Sequence, residues 1–190
     1  MRQYYGQSHD LAPLWYLLGV NIILFLVSLA APGVIADYGL VPAEVAQRPW
    51  TVLTAMFLHA GFGHIMGNMV TLYFFGVSLA EVAGSGVLLV VYFVGGLCGN
   101  LAYVLLAPPL SIAVGASGAI FAVGGSLVAL IPRRRVLVFP IPVPMPLWAA
   151  IVGGFFVISF LPGVAWQAHF GGLVAGLAIG YVVRRSRRAA

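Results

Sequence analysis

Four polar residues within apolar stretches of the sequence have types and spacings that could carry out chemistry. Ser117 lies in the stretch Gly-Ala-Ser-Gly, and His169 lies in Ala-His-Phe-Gly-Gly. A serine hydroxyl within hydrogen-bond reach of a neutral imidazole is an activated nucleophile, so this pair could perform acyl transfer. His64 and Asn68 are four residues apart and would project from one face of a helix. There they could donate hydrogen bonds to a developing oxyanion, together with the Ser117 amide.

The elements that must position these residues are predicted to be membrane helices. Of the 190 residues, 62% are hydrophobic and 7% are charged, whereas a soluble domain carries roughly 45–50% apolar and ~25% charged residues. We therefore predict an all-α, polytopic membrane protein with six spans, in which each helix satisfies its own backbone polar groups. The spans are predicted near Leu11–Ala31, Gly61–Leu79, Val87–Leu106, Ser111–Ile131, Leu147–Leu161 and Val164–Val183.

Arginine placement predicts the orientation of these spans. The chain has no lysine, and all but one of its arginines fall into three groups, namely Arg2, residues 133–135 and residues 184–188. With six spans and both termini cytoplasmic, all three groups lie on the cytoplasmic side and only Arg48 lies outside. The net charge of +5 is thereby explained without nucleic acid, and we expect the arginine tail to bind anionic headgroups. The first span is expected to act as an uncleaved signal anchor.

Each of the four polar residues also has a purely structural interpretation. A lone serine in a helix usually bonds the carbonyl four residues earlier. His169 could be a satisfied hydrogen bond between helices, and His64 with Asn68 could hold helices together. His59 could bond a loop or lie near the site. The depth of the four residues in the membrane favours the catalytic interpretation over the structural one. At about 1.5 Å per residue, all four polar groups are expected roughly 5 to 10 Å below the outer starts of three helices.

Acidic residues are missing from the interiors of the predicted spans. The four in the chain lie at span ends or in loops: Asp10, Asp37, Glu44 and Glu81. An intramembrane aspartyl protease needs two buried carboxylates, and a proton-coupled transporter usually needs at least one. A zinc protease needs His-Glu-x-x-His, but no Glu lies between His59 and His64. With no carboxylate to orient the imidazole, the sequence predicts a Ser-His dyad, and with one cysteine, Cys98, it excludes an intramolecular disulfide.

Small residues at helical spacing provide the packing that could join the polar residues. One stripe lies in the last span and one in the fourth: Gly172, Gly176 and Gly180, and Gly118, Ala122, Gly125 and Ala129. Such stripes let two helix backbones approach closely. Mating them would place His169 and Ser117 near one another at the outer end. The alternative is that these glycines, with Gly115, serve packing alone.

Two connectors have recognisable character. The outside loop Ala31–Trp50 is long enough to fold back onto the membrane interface. Phe139–Pro146 has proline at every second position, which forbids a helix and predicts an extended, polyproline-like connector at the cytoplasmic interface. No internal repeat is visible, which weakens an inverted-repeat transporter.

In combination these motifs resemble the rhomboid family of intramembrane serine proteases. The resemblance rests on Gly115–Gly118, on Ala168–Gly172, and on Thr54–His59 followed by Gly61-Phe-Gly-His64 and then Asn68. It covers essentially the whole chain, in order, as a single transmembrane domain over residues 1–190 that is similar to the minimal six-helix bacterial form. One departure is in the first outside loop, where family members commonly carry Trp-Arg and this chain has Trp50 followed by Thr51.

The resemblance implies a role for each candidate residue. Ser117 is the nucleophile and His169 is the general base. The oxyanion stabilisers are His64, Asn68 and the Ser117 amide. The structural and near-site residues are His59, Gly115, Gly118 and Gly172. No metal, nucleotide or other cofactor is expected.

The implied activity is hydrolysis of peptide bonds in or next to transmembrane segments of other membrane proteins. The substrate is expected to enter sideways near the fifth helix and the loop Pro162–Trp166. On that helix Phe155, Phe156 and Phe160 are candidates for a gate, and the alternative is that they are bulky side chains that face lipid. A helical substrate must unwind there, because its backbone is otherwise internally bonded. The resemblance also implies small or helix-breaking residues at the cleavage site, and an active site that opens to the outer side of the cell inner membrane.

Two other functions remain open. A non-catalytic rhomboid-like protein that binds transmembrane segments for quality control or trafficking would keep the fold, but such proteins usually lose the Ser or the His, and both are present here. A small-solute transporter or channel predicts charged or repeated sites at the membrane midplane, which the sequence lacks.

Overall fold

The computed structural model describes residues 10–31, 33–138, 141–159 and 161–189. Arg2 and Phe160, both singled out in the sequence, lie outside these ranges. The helices in the described ranges are α1 (Ala12–Ala30), α2 (Gly33–Tyr38), α3 (Thr51–Thr54), α4 (Phe62–Ala83), α5 (Ser85–Leu106), α6 (Ser117–Leu130), α7 (Leu147–Ser159) and α8 (Trp166–Ala189). The strands are β1 (Arg135–Val138) and β2 (Ile141–Pro146), and short 3₁₀ turns occupy Pro42–Glu44 and Ala55–Phe57.

Within the described ranges, four helices are long and apolar enough to cross a membrane: α1, α4, α5 and α8. Their outer faces carry large exposed apolar side chains, among them Leu29, Phe74 and Leu105, which water would not tolerate in such numbers but lipid does. The chain is therefore a multi-pass membrane protein. The two remaining apolar helices, α6 and α7, are shorter, with 14 and 13 residues.

The helix expected from Ser111 begins instead at Ser117. The backbone before it makes its hydrogen bonds outside any helix: Ala113 exchanges two with Leu40, and the Gly115 amide donates to the Ala55 carbonyl at 2.8 Å. Gly115 has a φ of 130°, a left-handed conformation that glycine adopts without a Cβ clash. An extended segment, rather than the first turns of a helix, thus carries the chain to Ser117.

The centre of the bundle is the close contact between α6 and α8. A Cβ atom added at Gly172 would lie 2.0 Å from the Gly118 carbonyl oxygen, and one added at Gly176 would lie 2.0 Å from that of Ala122. The Ser126 hydroxyl donates to the Gly176 carbonyl at 2.8 Å, a hydrogen bond between helices in an apolar surrounding. The packing predicted from the two stripes is confirmed, and it rests on backbone-to-backbone contact.

The arginines gather at one end of the bundle, which we call the arginine end. Residues 133–135 follow α6 there, and residues 184–188 end α8. Arg184 donates to the Ala129 carbonyl at 3.1 Å and Arg187 donates to the Val82 carbonyl, so two of these side chains occupy the last carbonyls of α6 and α4. Among the described arginines, only Arg48 lies near the opposite end. The grouping expected from the sequence is therefore present in three dimensions.

The proline-rich connector includes a β-strand that pairs with a neighbouring strand, which the proline pattern does not predict. β2 is extended, as predicted, but it pairs antiparallel with β1, with Arg135 opposite Pro146 and Val136 opposite Met145. A two-stranded hairpin consists only of edge strands, where proline's missing amide is tolerated. Residues 139 and 140 of the predicted connector lie outside the described ranges.

We expect Gly176→Ala to destabilise the bundle by about 1–3 kcal/mol or more, because a Cβ atom there meets the backbone of α6. The measurement is denaturant unfolding in detergent micelles. The matched control is Gly153→Ala on α7, where nothing lies within 4 Å of an added Cβ and where helix propensity favours alanine. Equal effects of the two substitutions would contradict the importance of the α6–α8 contact.

Candidate functional site

Ser117 and His169 are brought together at the end of the bundle opposite the arginines. Ser117 is the first residue of α6, and His169 lies in the first turn of α8. The His169 Nε2 and the Ser117 Oγ are 2.7 Å apart, a distance suited to proton transfer between them. Ala168, the residue before His169, packs closely against α6 and α5, and this contact sets the geometry. A Cβ atom added at Gly118 of α6 would lie 3.2 Å from the Ala168 carbonyl oxygen, and one added at Gly99 of α5 would lie 2.6 Å from it.

The orientation of the His169 ring is fixed by aromatic packing. The ring lies against Phe121, with centroids 4.6 Å apart and an interplanar angle of 32°, and Phe121 in turn meets Phe155 edge-on at 5.8 Å. The buried His169 Nδ1 has no hydrogen-bond partner in the described part of the chain. In the neutral tautomer in which Nε2 accepts a hydrogen bond from the serine hydroxyl, the ring proton resides on Nδ1. Packing against Phe121 therefore orients the ring, which is one of the roles of the carboxylate in a triad.

Phe121 is a site residue that the sequence reasoning did not identify. It lies four residues after Ser117, so it occupies the same face of α6. That spacing was available in the sequence, but an aromatic residue in an apolar helix resembles ordinary core packing. Only its contact with His169 distinguishes it from the other phenylalanines.

His64 and Asn68 lie on the face of α4 that lines the same cavity as Ser117 and His169. The Ala60 amide donates to His64 Nδ1 at 3.4 Å, so in the neutral ring the proton lies on Nε2. This Nε2 lies beside Gly115, where an added Cβ would be 2.8 Å from it and 3.6 Å from the Ser117 Oγ. The Asn68 amide donates once to the His64 carbonyl at 2.8 Å and retains a second N–H.

These side chains open into a cavity of about 580 Å³ between α4, α6, α7 and α8. Its walls are mostly apolar, with Phe75, Ile120, Ile151 and Ile158 among the lining residues. The polar side chains that line it are few, namely those of His64, Asn68, Thr71, Ser117 and His169, as in sites that bind an apolar ligand and orient it by a few contacts. Within the described ranges no three His, Cys, Asp or Glu side chains come together as a metal site requires.

The gate candidates on α7 differ from one another. Phe155 is buried and packs against Phe121, whereas Phe156 is exposed on the outer face. Of the two gate candidates that the structure describes, Phe155 is the one that contacts the Phe121 ring beside His169. The loop before α4 is also ordered by side chains: Arg48 pairs with Glu44 at 3.4 Å and donates to the Ala36 carbonyl at 3.0 Å.

His59 lies just before α4 and is almost fully buried. Its ring stands edge-on to that of His64, with centroids 5.1 Å apart, and neither of its nitrogens has a hydrogen-bond partner among the described residues. Burial, followed by the proximity of His64, lowers the pKa of His59 to about 4. His59 is thus buried in contact with the His64 ring, and a structural or near-site role for it stays a prediction.

We expect the stability of the fold to decrease as the pH falls from about 6.5 to about 4. In that range an unfolded His59 binds a proton while the folded one, with its lowered pKa, does not. The difference corresponds to about 3 kcal/mol that is present above pH 6.5 and lost below pH 4. The measurement is the unfolding midpoint against pH for wild type and His59→Gln, compared first above pH 7. An unchanged pH slope in the variant would contradict this assignment.

Comparison with known proteins places the chain in a family. Residues 46–186 match the family model described as the Rhomboid domain. Rhomboid protein 1, mitochondrial, of Saccharomyces cerevisiae is 28% identical over 96% of this chain and 56% of its own length. RHOMBOID-like protein 5 of Arabidopsis thaliana is 35% identical over 74% of this chain and 45% of its own length.

A similar relationship links the chain to Rhomboid-related protein 2 of Mus musculus, which is 32% identical over 74% of this chain and 50% of its own length. The chain thus spans about half the length of the curated relatives it matches. The family match includes the segments that carry Ser117, His169, His64 and Asn68. This chain therefore belongs to the rhomboid family.

Proposed function

We propose that the protein is an intramembrane serine endopeptidase that cleaves peptide bonds in or next to transmembrane segments. The observation that carries the proposal is the 2.7 Å separation of Ser117 Oγ and His169 Nε2 in a largely apolar cavity. A hydroxyl and an imidazole at this distance, beside unused hydrogen-bond donors, have the composition of an acyl-transfer site.

The chemistry runs in two steps. His169 Nε2 takes the proton as Ser117 Oγ attacks the substrate carbonyl, and it returns the proton to the leaving amine. The Ser117 amide, which as the first in α6 has no acceptor within its own helix, donates to the oxyanion together with His64 Nε2 and the second N–H of Asn68. Water then attacks the acyl-enzyme with His169 again acting as base, which restores the serine.

The substrate follows from the surroundings of the site. An apolar cavity bounded by helices in a membrane fits a segment that is itself apolar, and α7 is the weakest wall, with only Leu147, Ile151 and Phe155 buried. A transmembrane helix must unwind locally to expose its carbonyl to Ser117. We propose that it enters beside α7 and that small or helix-breaking residues are preferred at the cleaved bond.

The topology that accompanies this activity is six spans with α6 and α7 counted among them, in one domain over residues 1–190. The arginine end then lies in the cytoplasm, and the catalytic end faces the extracytoplasmic side of the cell inner membrane.

The competing function is a non-catalytic binder of transmembrane segments. Neither Ser117 nor His169 would need the other in such a protein, whereas here they are in contact.

We expect Ser117→Ala to reduce the cleavage rate of a model transmembrane substrate by at least about 10³-fold, because no nucleophile remains. A fluorophosphonate probe should label the wild type and not the variant. Ser78→Ala, in the part of α4 nearer the arginine end, is the matched control and should retain both labelling and cleavage. Cleavage by Ser117→Ala would refute the assignment, and a folded wild type that neither labels nor cleaves would favour the non-catalytic function.

We expect His64→Ala and Asn68→Ala each to lower kcat by about 10²–10³-fold, with a smaller change in KM, because each removes a donor used mainly in the transition state. The measurement is steady-state cleavage in detergent micelles. Unfolding midpoints close to that of the wild type must accompany the loss. If KM rises while kcat is kept, these side chains bind substrate in the ground state and do not stabilise an oxyanion.

A further inference from the structure

The connection between α6 and α7 combines positive charge with exposed apolar side chains. We call it the basic hairpin, which comprises Arg133, Arg134, β1 and β2. The three arginines at positions 133–135 are exposed. Leu137 and Val143 are 68% and 62% exposed, although they belong to paired strands. Side chains of this kind at the end of a membrane helix lie at the depth of lipid headgroups and the first methylenes.

The arginines of the basic hairpin have no carboxylate partner in the described part of the chain. The ion pair recorded there, between Arg48 and Glu44, is near the opposite end of the bundle. Arg135 uses one of its N–H groups on the Pro144 carbonyl at 3.2 Å, which closes the hairpin. A guanidinium has five donors in a fork that matches phosphate, so the segment carries an excess of donors and of positive charge that an anionic phosphodiester complements.

The basic hairpin and Pro132, the residue just before it, are joined to α7 by backbone hydrogen bonds. The Leu147 amide donates to the Arg134 carbonyl at 2.8 Å, and the Trp148 amide donates to the Pro132 carbonyl at 3.3 Å. These are the first amides of α7, which have no acceptor within their own helix. The position of the basic hairpin is therefore coupled to the start of α7, and α7 contributes Ala150, Ile151 and Gly154 to the wall of the cavity.

We propose that headgroups of anionic phospholipids bind the basic hairpin and hold the start of α7 in place, so that lipid composition regulates access to the cavity. The occupant is a lipid rather than free phosphate, because Leu137 and Val143 need an apolar surrounding beside the charged one. The binding site stands on the geometry of the hairpin alone. The effect on turnover rests on the proposed protease function.

The arginine tail provides a matched comparison. Arg184 and Arg187 donate to helix carbonyls, whereas Arg185 and Arg188 are exposed on α8. Among the described residues, no backbone hydrogen bond joins the end of α8 to α7. Arg133→Gln/Arg134→Gln and Arg185→Gln/Arg188→Gln thus remove equal charge from the same end of the bundle. Only the first pair lies in the segment that is bonded to α7.

Lipid binding is measured first, with the full chain carrying Ser117→Ala so that the readout is independent of cleavage. The probe is spin-labelled phosphatidylglycerol, compared with spin-labelled phosphatidylcholine, in vesicles that contain the protein. We expect a preference for phosphatidylglycerol that falls roughly fivefold or more in Arg133→Gln/Arg134→Gln and falls much less in Arg185→Gln/Arg188→Gln, because the arginine tail contributes only a general attraction to anionic headgroups. Equal preference in the two double variants would overturn the site.

Turnover is measured second, with Ser117 restored and a model transmembrane substrate in the same vesicles. We expect cleavage to be several-fold faster with phosphatidylglycerol than with phosphatidylcholine alone, and only the hairpin variant to lose this response. If the enzyme cleaves at the same rate in both lipids, the coupling to α7 is wrong. If it cleaves in neither, the proposed protease function is wrong, while the binding result is unaffected.

Discussion

The contact between the backbones of α6 and α8 is the constraint on which the rest of the structure depends. It requires glycine at positions 172 and 176, where a single methyl group would collide with a carbonyl oxygen of the facing helix. Hydrocarbon offers no hydrophobic gain for bringing two apolar helices together, so close packing and the Ser126–Gly176 hydrogen bond must supply the attraction. Because these helices are in register, Ser117 and His169 meet at their starts.

Much of this arrangement could be predicted from the sequence, because lipid imposes strong constraints. The low charge content required membrane helices, the arginines marked one end, and the small-residue stripes joined the two helices that carry Ser117 and His169. What could not be predicted depends on tertiary contacts. The apolar run from Ser111 predicts a helix, but Ala113 pairs with Leu40 in an isolated β-bridge, so α6 begins later. The role of Phe121 depends on its contact with the His169 ring of α8, which no local pattern reveals.

The two ends of the molecule differ in how they carry polarity, with charged side chains at one end and neutral polar side chains at the other. At the arginine end the charges are on side chains, and two of them occupy the final carbonyls of α4 and α6. At the opposite end the candidate site has histidine, serine and asparagine, and the ion pair found among the described residues, Arg48–Glu44, belongs to the loop before α4. A neutral site avoids the cost of placing a formal charge in a low-dielectric surrounding.

The placement of His64, Ser117 and His169 in the first turns of α4, α6 and α8 has an electrostatic consequence. Each helix carries the equivalent of about half a positive charge at its amino end, and three such ends surround one cavity. Their summed field favours negative charge on an oxygen near Ser117, whether it is an alkoxide or a tetrahedral oxyanion. This field arises from the peptide backbone, so it persists when any single side chain of the site is replaced.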